Sequence, residues 1–374
     1  MRIGIDARLL YYQQAGIGQY TLRLVEALAQ VDGENEYVLF QSRKDRSTLV
    51  REPNFRRHAM WTPPHHRFEQ LALSLELAPV KVDVLHQPDF IPPWRRRCPA
   101  VVTIHDLGFL RYPETLSEAS KRYYGQIYRA VKSAEQIIAV SECTKADLVR
   151  LTGAPESKVT VVYEAAGPQF HPIEDQSALK DAKARYGIVG DFILFVGTIE
   201  PRKNLSNLVR AYAYLIKEKA RDQALPKLVI AGKRGWLFEE VFSLVEEWDL
   251  GYAIRFIGGV PAEDLPYLYN AARLFVYPSL YEGFGLPLLE AMSCGTPVVA
   301  SDRSSLPEIA GDAALLVPPE DPEKMAQAIW QALTDEELRR GLRRKGLAQA
   351  QRFSWERAAR QTIQVYQKAA DLAG

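Results

Sequence analysis

Short apolar runs alternate with longer amphipathic stretches along this 374-residue chain. The runs are rich in β-branched residues and too short for helices, which is typical of buried strands in parallel sheets covered by helices. In the first part of the chain the predicted strands are residues 3–5, 38–40, 82–85, 101–104, 137–140 and 159–162. In the second part they are residues 192–196, 228–230, 255–257, 274–276, 298–299 and 315–317. The pattern therefore predicts an α/β protein.

Helical periodicity is clearest at three places between and after these strands. One helix is predicted over residues 18–29, and a second over residues 205–216, where apolar positions have the spacing of one buried face. Near the end of the chain, Ser354 is suited to cap a helix whose apolar side includes Trp355 and Tyr366.

The chain is long enough for two domains, because single hydrophobic cores stop growing beyond about 250–300 residues. The alternation of strands and helices breaks between residues 167 and 191, where Pro168 and Pro172 accompany mixed charge. We therefore expect one domain over residues 1–170 and a second that begins at residue 171.

Charge and cysteine content narrow the class of protein. Lys+Arg 47 against Asp+Glu 46 gives a net charge of +1, so no overall field predicts nucleic acid as a partner. Cys98, Cys143 and Cys294 are too far apart to predict a disulfide framework or a zinc cluster. The chain opens into a strand without a signal-peptide apolar region, and no apolar run approaches the roughly 18 residues that span a bilayer. We expect a cytoplasmic protein.

The most informative segment is residues 277–297, in which two carboxylates flank a glycine-rich loop. Pro287 suits the first position of a helix, and Gly295 suits the left-handed residue just past its end. Glu282 then lies on the loop and Glu290 on the first helical turn. Because the loop follows a predicted strand, both carboxylates are expected at the carboxyl edge of a parallel sheet, where such sheets bind ligands.

Two other loops carry groups suited to phosphate. Gly16 and Gly18 allow backbone amides to approach an anion at a helix N-terminus, although a tight turn explains such glycines equally well. Gly197 ends a predicted strand, and Arg202 and Lys203 follow it at the start of a helix. Two cations at the positive end of a helix are unfavourable unless an anion joins them. A diphosphate would supply that anion; a solvated surface pair is the alternative.

Three further positions are expected at strand ends. His105 follows the strand over residues 101–104, which places it at the carboxyl edge of the sheet, although lone histidines are more often structural. Val260 lies in the loop after residues 255–257, where backbone groups can contact a ligand, although a simple tight turn explains this loop equally well. Lys233 follows another strand and stays without an assigned role.

The segment with Glu282 and Glu290 resembles the Glu-x7-Glu signature of the retaining glycosyltransferases of group 1, also called family 4. The glycine loop, His105-Asp106, the Arg-Lys-Asn run at Arg202 and the Glu pair occur in the family's order over essentially the whole chain. The His-Asp stretch is most similar to the mannosyltransferase-like branch. The family usually has Gly-Gly-Ile-Gly in the first loop, so this chain departs from the pattern at Ala15.

This resemblance implies the GT-B fold, with two Rossmann-like domains whose parallel sheets face each other across a cleft. Residues 1–170 would form the acceptor domain and residues 171–353 the nucleotide-sugar donor domain. The final helix, within residues 354–374, would cross back to the N-terminal domain.

The resemblance also implies roles for individual residues. Glu282 would contact the hydroxyls of the donor sugar, Glu290 the ribose, and His105 the region of the anomeric carbon. Arg202 and Lys203 would meet the charge of the diphosphate. Donor-binding positions carried over from the family, in addition to Glu290, are Gly16, Gly18, Gly197, Val260, Phe284, Gly285 and Leu286.

The implied reaction moves a hexose from a nucleotide diphosphate sugar to a glycan or a lipid-linked acceptor. GDP-mannose is the expected donor, with UDP-glucose or UDP-GlcNAc as the alternative. No cofactor beyond the donor is expected. The chain has no Asp-x-Asp pair, so we predict no metal. The other hypotheses are a glycoside hydrolase that uses the two glutamates, a nicotinamide-dependent oxidoreductase, and a protein that binds sugar nucleotides without turnover.

Aromatic and basic residues occur together in three stretches of the predicted acceptor domain, residues 61–70, 92–97 and 121–132. Such a combination fits peripheral contact with anionic lipid at the inner face of the cell membrane. A solvated protein surface is the alternative interpretation.

Overall fold

The computed structural model describes residues 1–12, 16–66, 68–113, 121, 123–219 and 225–372. It divides into two compact units, the first containing Met1–Glu164 and Ser354–Gly374 and the second Ala165–Phe353. The sequence placed the boundary after residue 170. Phe170 instead belongs to the second unit because its ring packs edge-on against Tyr269, with 5.8 Å between ring centroids.

The first unit is built on a seven-stranded parallel sheet. All six strands predicted for this part of the chain are present, together with a seventh that was not predicted, β3 (Phe55–Met60). This strand lies at the edge of the sheet, and the middle of its sequence, Phe-Arg-Arg-His-Ala-Met, is charged and exposed, so it lacks the apolar run by which the other strands were predicted. The strands are β1 (Arg2–Asp6), β2 (Glu36–Ser42), β3 (Phe55–Met60), β4 (Val84–Gln87), β5 (Ala100–Ile104), β6 (Gln136–Ala139) and β7 (Val159–Val161), in the order β3-β2-β1-β4-β5-β6-β7.

Helices lie between these strands in the described part of the first unit. The predicted helix over residues 18–29 is observed as α2. The helices are α1 (Leu9–Tyr12), α2 (Ile17–Val31), α3 (Glu69–Leu77), α4 (Gly108–Arg111), α5 (Ile127–Ser133) and α6 (Glu142–Thr152).

The second unit repeats the plan with a six-stranded parallel sheet, and every strand predicted for it is present. The strands are β8 (Phe192–Val196), β9 (Lys227–Ala231), β10 (Ile254–Gly258), β11 (Leu274–Tyr277), β12 (Val298–Ser301) and β13 (Leu315–Val317), in the order β10-β9-β8-β11-β12-β13. Its helices are α7 (Gln176–Arg185), α8 (Leu205–Lys219), α9 (Glu239–Glu247), α10 (Leu265–Ala271), α11 (Leu286–Ser293), α12 (Leu306–Ala310), α13 (Pro322–Thr334) and α14 (Glu336–Ala350).

The last helix, α15 (Trp355–Asp371), packs against α2 and so belongs to the first unit. The Ser354 side chain caps it by accepting a hydrogen bond from the Arg357 amide at 3.2 Å. Tyr366 is fully buried, and its hydroxyl hydrogen-bonds with Nδ1 of His86 in β4 at 2.7 Å. The prediction that the chain ends on the N-terminal unit is confirmed. No helix among the described residues is long and apolar enough to cross a bilayer.

Both sheets have a point where the chain departs in opposite directions from two neighbouring strands. In the first sheet this point lies between β1 and β4, and in the second between β8 and β11. Loops that leave such a pair diverge and open a crevice at the carboxyl ends of the strands. Each unit therefore has a defined place at which a ligand site is expected.

Candidate active site

Arg202, Lys203 and Glu282 meet at the crevice of the second sheet. The two cations follow β8 in the short 3-10 turn Pro201–Lys203, and the carboxylate follows β11. The Leu280 amide donates to the Arg202 carbonyl at 2.9 Å, which joins the two loops through their backbones. Sequence motifs that lie about eighty positions apart thus form one cluster.

Buried ion pairs hold this cluster together. Lys203 Nζ donates to Glu282 Oε1 at 2.5 Å and to the Tyr277 hydroxyl at 3.0 Å. Arg202 Nη1 donates to Glu282 Oε2 at 3.2 Å, and Arg202 Nη2 donates to Glu200 Oε1 at 2.9 Å. Lys203 and Glu282 are only 8% and 7% exposed. Arg202, Lys203 and Glu282 were predicted from their sequence motifs, whereas Glu200, which directly precedes the turn, was not.

The pairing determines the protonation states. Burial alone would raise the pKa of Glu282, but Lys203 and Arg202 outweigh burial and lower it to about 2. Burial lowers the pKa of Lys203, against the opposing pull of Glu282. Burial also raises the pKa of Glu200, although Arg202 and Lys203 act in the other direction. Glu282 is therefore a carboxylate throughout the physiological pH range.

The positive charges of Arg202 and Lys203 are offset within the protein. From the sequence, these two cations at the start of a helix were expected to require a bound anion. In the structure, Glu282 and Glu200 already offset the two positive charges. The cations are held in place before any ligand arrives, which is the condition for a preorganised binding site.

Glycines line the ends of the strands beside this cluster. A Cβ at Gly232 would lie 1.8 Å from the Gly197 carbonyl oxygen, so the two backbones approach too closely for any side chain. The stem of Lys233 crosses Gly259, and Lys233 itself is exposed. Val260 is partly buried in the loop after β10. The backbones at the ends of β8, β9 and β10 are thus linked directly: the Gly197 amide donates to the Ala231 carbonyl at 3.0 Å and the Gly232 amide to the Gly258 carbonyl at 2.7 Å.

Helix α11 begins at Leu286, one residue before the predicted start, so Pro287 occupies its second position. Gly285 directly precedes the helix with a φ of 99°, and Gly295 follows it with a φ of 74°, in the left-handed region predicted from the sequence. Phe284 is buried and meets Phe353 edge-on at 5.8 Å. The earlier start places Glu290 on the second turn of α11, and the prediction that it lies on the first turn is wrong.

Glu290 differs from Glu282 in that none of the residues described by the structure places a cation beside it. The Tyr269 hydroxyl donates to Glu290 Oε2 at 2.9 Å. Burial raises the pKa of Glu290 to about 7, and the hydrogen bond from Tyr269 only partly opposes that rise. The pKa of Glu282 thus lies below the ordinary range for glutamate, and the pKa of Glu290 lies above it.

The raised pKa of Glu290 predicts a pH-dependent stability. The folded protein holds this proton more tightly than the unfolded chain, so the contribution is present below about pH 4.5 and is lost as the pH rises through 7. At about 1.4 kcal/mol per pKa unit, this effect lowers the free energy of unfolding of the wild type by up to about 3 kcal/mol as the pH rises. Glutamine does not ionise, so the Glu290→Gln protein should lack this decrease. Urea unfolding of both proteins at pH 5 and pH 8 measures the difference. An unchanged pH dependence in Glu290→Gln would contradict the assignment.

In the first unit, His105 follows β5 at the carboxyl edge, as predicted. Its Nδ1 lies 3.0 Å from Glu164 Oε1 and its Nε2 lies 3.0 Å from the Pro88 carbonyl oxygen. Burial lowers the pKa of His105, but Glu164 outweighs it and the net shift is upward. Both partners accept hydrogen bonds, which favours an imidazolium with a donor on each nitrogen. Glu164 was not predicted, although its position just after β7 places it at the same edge of the sheet.

The glycine loop leads into α2 at the crevice between β1 and β4. Gly16 directly precedes the helix with a φ of 57°, and Gly18 is buried in its first turn. Ala15, where the sequence departs from the family pattern, lies outside the described residues.

A second polar cluster at this edge was missed. Arg8 is buried and donates from Nη2 to Asp6 Oδ2 at 2.6 Å and to Glu69 Oε1 at 2.7 Å. His65 pairs with Asp89, which also accepts a hydrogen bond from the Tyr123 hydroxyl at 2.7 Å. These residues come from four separate segments of the chain, so no local sequence motif predicted the cluster.

Comparison with known proteins gives matches in both units. The family described as "Glycosyltransferase Family 4" matches residues 15–166, and the family "Glycosyl transferases group 1" matches residues 184–349. Over the full length, the chain is 35% identical to the O-antigen chain mannosyltransferase B of Escherichia coli across 382 residues, covering 98% of this chain and 99% of that protein. The chain belongs to glycosyltransferase family 4.

Other matches support the assignment of the chain to this family and its fold. It is 34% identical over 277 residues to the serotype-specific mannosyltransferase WbdA of Escherichia coli, covering 73% of this chain and 33% of that protein. Among solved structures, sucrose-phosphate synthase from Thermosynechococcus elongatus has a TM-score of 0.78 at 24% identity, with 98% of each chain covered. Anabaena HepE, solved with UDP and glucose, has a TM-score of 0.75 at 19% identity, covering 97% of this chain and 98% of that one. The structural matches establish the GT-B fold.

Proposed function

We propose that this glycosyltransferase moves mannose from GDP-mannose to a glycan or lipid-linked acceptor of a surface polysaccharide. The observation that carries the proposal is the full-length similarity to the O-antigen chain mannosyltransferase B of Escherichia coli. Similarity to WbdA, another mannosyltransferase, supports the choice of sugar.

Arg202 and Lys203 are proposed to hold the diphosphate of the donor. A lysine ammonium has three N–H donors, and Glu282 and Tyr277 accept two of those on Lys203. The third is available for a phosphate oxygen. A charge-assisted hydrogen bond contributes about 1.5–3 kcal/mol, so donors of this kind can stabilise the leaving group without a metal ion. Gly197 and Val260, which follow β8 and β10 of the same sheet, are proposed to contact the same ligand.

Glu282 is proposed to accept hydrogen bonds from hydroxyls of the donor sugar. Arg202 and Lys203 fix its two oxygens in place at the crevice of the second sheet, where a ligand site is expected. A carboxylate with a pKa of about 2 is a weak base and a weak nucleophile. This property argues against a covalent glycosyl–Glu282 intermediate.

The reaction is therefore proposed to retain configuration by a front-face route. The bond between the anomeric carbon and the β-phosphate oxygen breaks, and the acceptor oxygen bonds to that carbon on the same face. The acceptor's proton moves to the departing phosphate oxygen, which gives the glycoside and GDP. The protein's part is to stabilise the charge that develops on the phosphate.

Glu290, Phe284, Gly285 and Leu286 are proposed to contact the nucleoside side of the donor. Glu290 Oε1 has no partner among the described residues, so it is available to a ribose hydroxyl. We propose that His105 acts as a fixed positive charge rather than as a base, because Glu164 and Pro88 engage both of its ring nitrogens. Gly16 and Gly18 are proposed to supply main-chain amides to the donor phosphates.

Thermal unfolding with a panel of nucleotide sugars tests the donor. A ligand at 100 times its dissociation constant adds about 2.7 kcal/mol of stability, and we expect GDP-mannose to give the largest shift. Labelled GDP-mannose should then yield a glycoside and GDP in the presence of excess EDTA. A larger shift with UDP-glucose or UDP-GlcNAc would overturn the choice of donor. Binding of GDP-mannose without turnover on a range of acceptors would favour the non-catalytic alternative, and loss of activity with EDTA would contradict metal independence.

A further inference from the structure

Helix α3 of the first unit exposes two of its leucines although it buries two polar residues beside Leu73. Leu71 and Leu75, one turn apart, are 59% and 77% exposed. Glu69 and Gln70 are buried, and Glu69 pairs with the buried Arg8 at 2.7 Å. Side chains this exposed bury little apolar area on folding, and two of them one turn apart begin a contiguous apolar patch, the kind of surface that marks an interaction site.

Large aromatic side chains extend this surface on both sides of α3. Trp61 is 71% exposed, and its amide donates to Glu76 of α3 at 2.5 Å. On the other side, the Arg95 amide donates to Ser74 of α3 at 3.2 Å, which holds the neighbouring Trp94 beside the helix. We call this surface the α3 face; it consists of Trp61, Phe68, Leu71, Leu75 and Trp94, all of them exposed.

Cations surround the α3 face. The guanidinium of Arg43 lies over the Trp61 ring at 4.0 Å, and that of Arg129 lies over the Trp94 ring at 3.9 Å. Arg95, Arg97 and Lys81 are exposed next to it. The acidic groups nearby are engaged within the protein: Glu76 accepts from backbone amides, and Glu135 pairs with Arg96. The border of the α3 face is therefore positively charged.

A cavity of about 630 Å³ opens between the end of α3 and the loop with these arginines. Its size is in the range of ligand pockets, about 300–1,000 Å³. Val82 and Cys98 lie before the first residues of β4 and β5, so the cavity is at the amino edge of the sheet, opposite the carboxyl edge that holds His105. Its apolar lining includes Phe40, Leu75, Leu77, Val80, Val82 and Leu85.

We propose that the α3 face binds the surface of an anionic phospholipid bilayer, with the cavity taking up part of one acyl chain. Leucine and tryptophan enter the region between headgroups and chains, while the surrounding cations pair with lipid phosphates. A second copy of this chain fits less well. In a two-fold dimer each copy presents the same surface, which would bring Arg95, Arg97 and Arg129 of one copy against those of the other.

The proposal develops the sequence-based prediction of lipid contact. The stretches over residues 61–70 and 92–97 contribute Trp61, Phe68 and Trp94, although Arg67 lies outside the described residues. In the third stretch, Arg129 is placed over Trp94, whereas Arg122 lies outside the described residues. The leucines of α3 beyond residue 70 were not predicted.

Sedimentation with phosphatidylglycerol vesicles tests the proposal on the full-length protein. At low ionic strength we expect binding at least about tenfold tighter than to phosphatidylcholine vesicles, and weaker binding as salt is added. Fluorescence of Trp61 and Trp94 should shift to shorter wavelength on binding, and brominated lipid should quench it. Equal binding to both kinds of vesicle, or binding to neither, would overturn the proposal. Vesicle binding requires neither donor nor acceptor, so the result is independent of the transfer reaction.

Substitutions on the surface give matched controls. Leu71→Ser/Leu75→Ser should weaken vesicle binding by at least about tenfold without loss of folding, because both side chains are already exposed. The control Val189→Ser/Leu372→Ser replaces two other exposed apolar residues and should bind as the wild type does. If the α3-face variant instead abolishes self-association seen by gel filtration and leaves vesicle binding unchanged, the surface is a dimer interface and the proposal fails.

The contribution of the arginines to vesicle binding is also tested by a pair of matched variants. Arg95→Glu/Arg97→Glu should reduce vesicle binding by at least about tenfold, since each cation near an anionic surface contributes about 1 kcal/mol. Arg344→Glu/Arg360→Glu makes the same change in net charge at exposed positions on α14 and α15 and should have a much smaller effect. Equal losses in the two variants would mean that net charge, and not the α3 face, determines binding.

Discussion

Replacing Lys203 with methionine is expected to lower the rate of sugar transfer by about 10²–10³-fold, the usual cost of removing one preorganised donor from a site of developing charge. Lys203 is buried with its ammonium fixed by Glu282 and Tyr277, so it needs no reorganisation when the diphosphate departs. Methionine keeps most of the length and apolar volume of the side chain. The loss should appear in kcat at saturating donor.

Lys217→Met is the matched control. Lys217 lies on the helix that follows the Lys203 turn, but it is exposed and near the opposite end of that helix. It should retain wild-type turnover. A Lys203→Met enzyme within about threefold of wild type, with the donor bound normally, would contradict the role given to this lysine.

Glu282→Ala is expected to lower the free energy of unfolding by about 3–5 kcal/mol, in addition to abolishing transfer. Removing one partner of a buried ion pair leaves the other charge without compensation, and here both Lys203 and Arg202 lose a partner. Urea unfolding at pH 7 measures the effect. Loss of activity in this variant alone therefore does not separate chemistry from folding.

A double-mutant cycle makes that separation. Lys203→Met/Glu282→Ala removes the ammonium as well as the carboxylate, so its destabilisation should be smaller than the sum of the single effects by about 0.5–3 kcal/mol. Glu247→Ala, at an exposed position on α9, should change stability by less than about 0.5 kcal/mol. Strictly additive effects of the two site substitutions would show that the ion pair does not couple these residues.

The sequence was most informative where the physical cause is local. The central strands appear as apolar runs because both of their faces are buried, and every run predicted as a strand is one. Gly295 was predicted from helix-end geometry and has the expected positive φ. The edge strand β3 was missed because its middle residues face water and carry charge.

The partners of the site residues were harder to predict because they depend on the assembled sheet. Arg202 and Glu282 were found from their motifs, but nothing local indicates that they form an ion pair. The contact between His105 and Glu164 joins residues at the ends of β5 and β7, which only the strand order brings together. The burial of Glu69 on α3 was missed for a different reason, because it depends on Arg8, far away in the sequence.

The packing of α15 into the first unit has a consequence for how the protein is made. One hydrophobic core contains Ile3 and Leu24 from the start of the chain together with Ala359, Val365 and Tyr366 from α15. The ribosome supplies those last residues only after the whole second unit has been translated. The second unit can fold as soon as it leaves the exit tunnel, whereas the earlier-made unit must wait with part of its apolar surface uncovered. During synthesis, chaperones are thus most needed by the portion of the protein that emerges first.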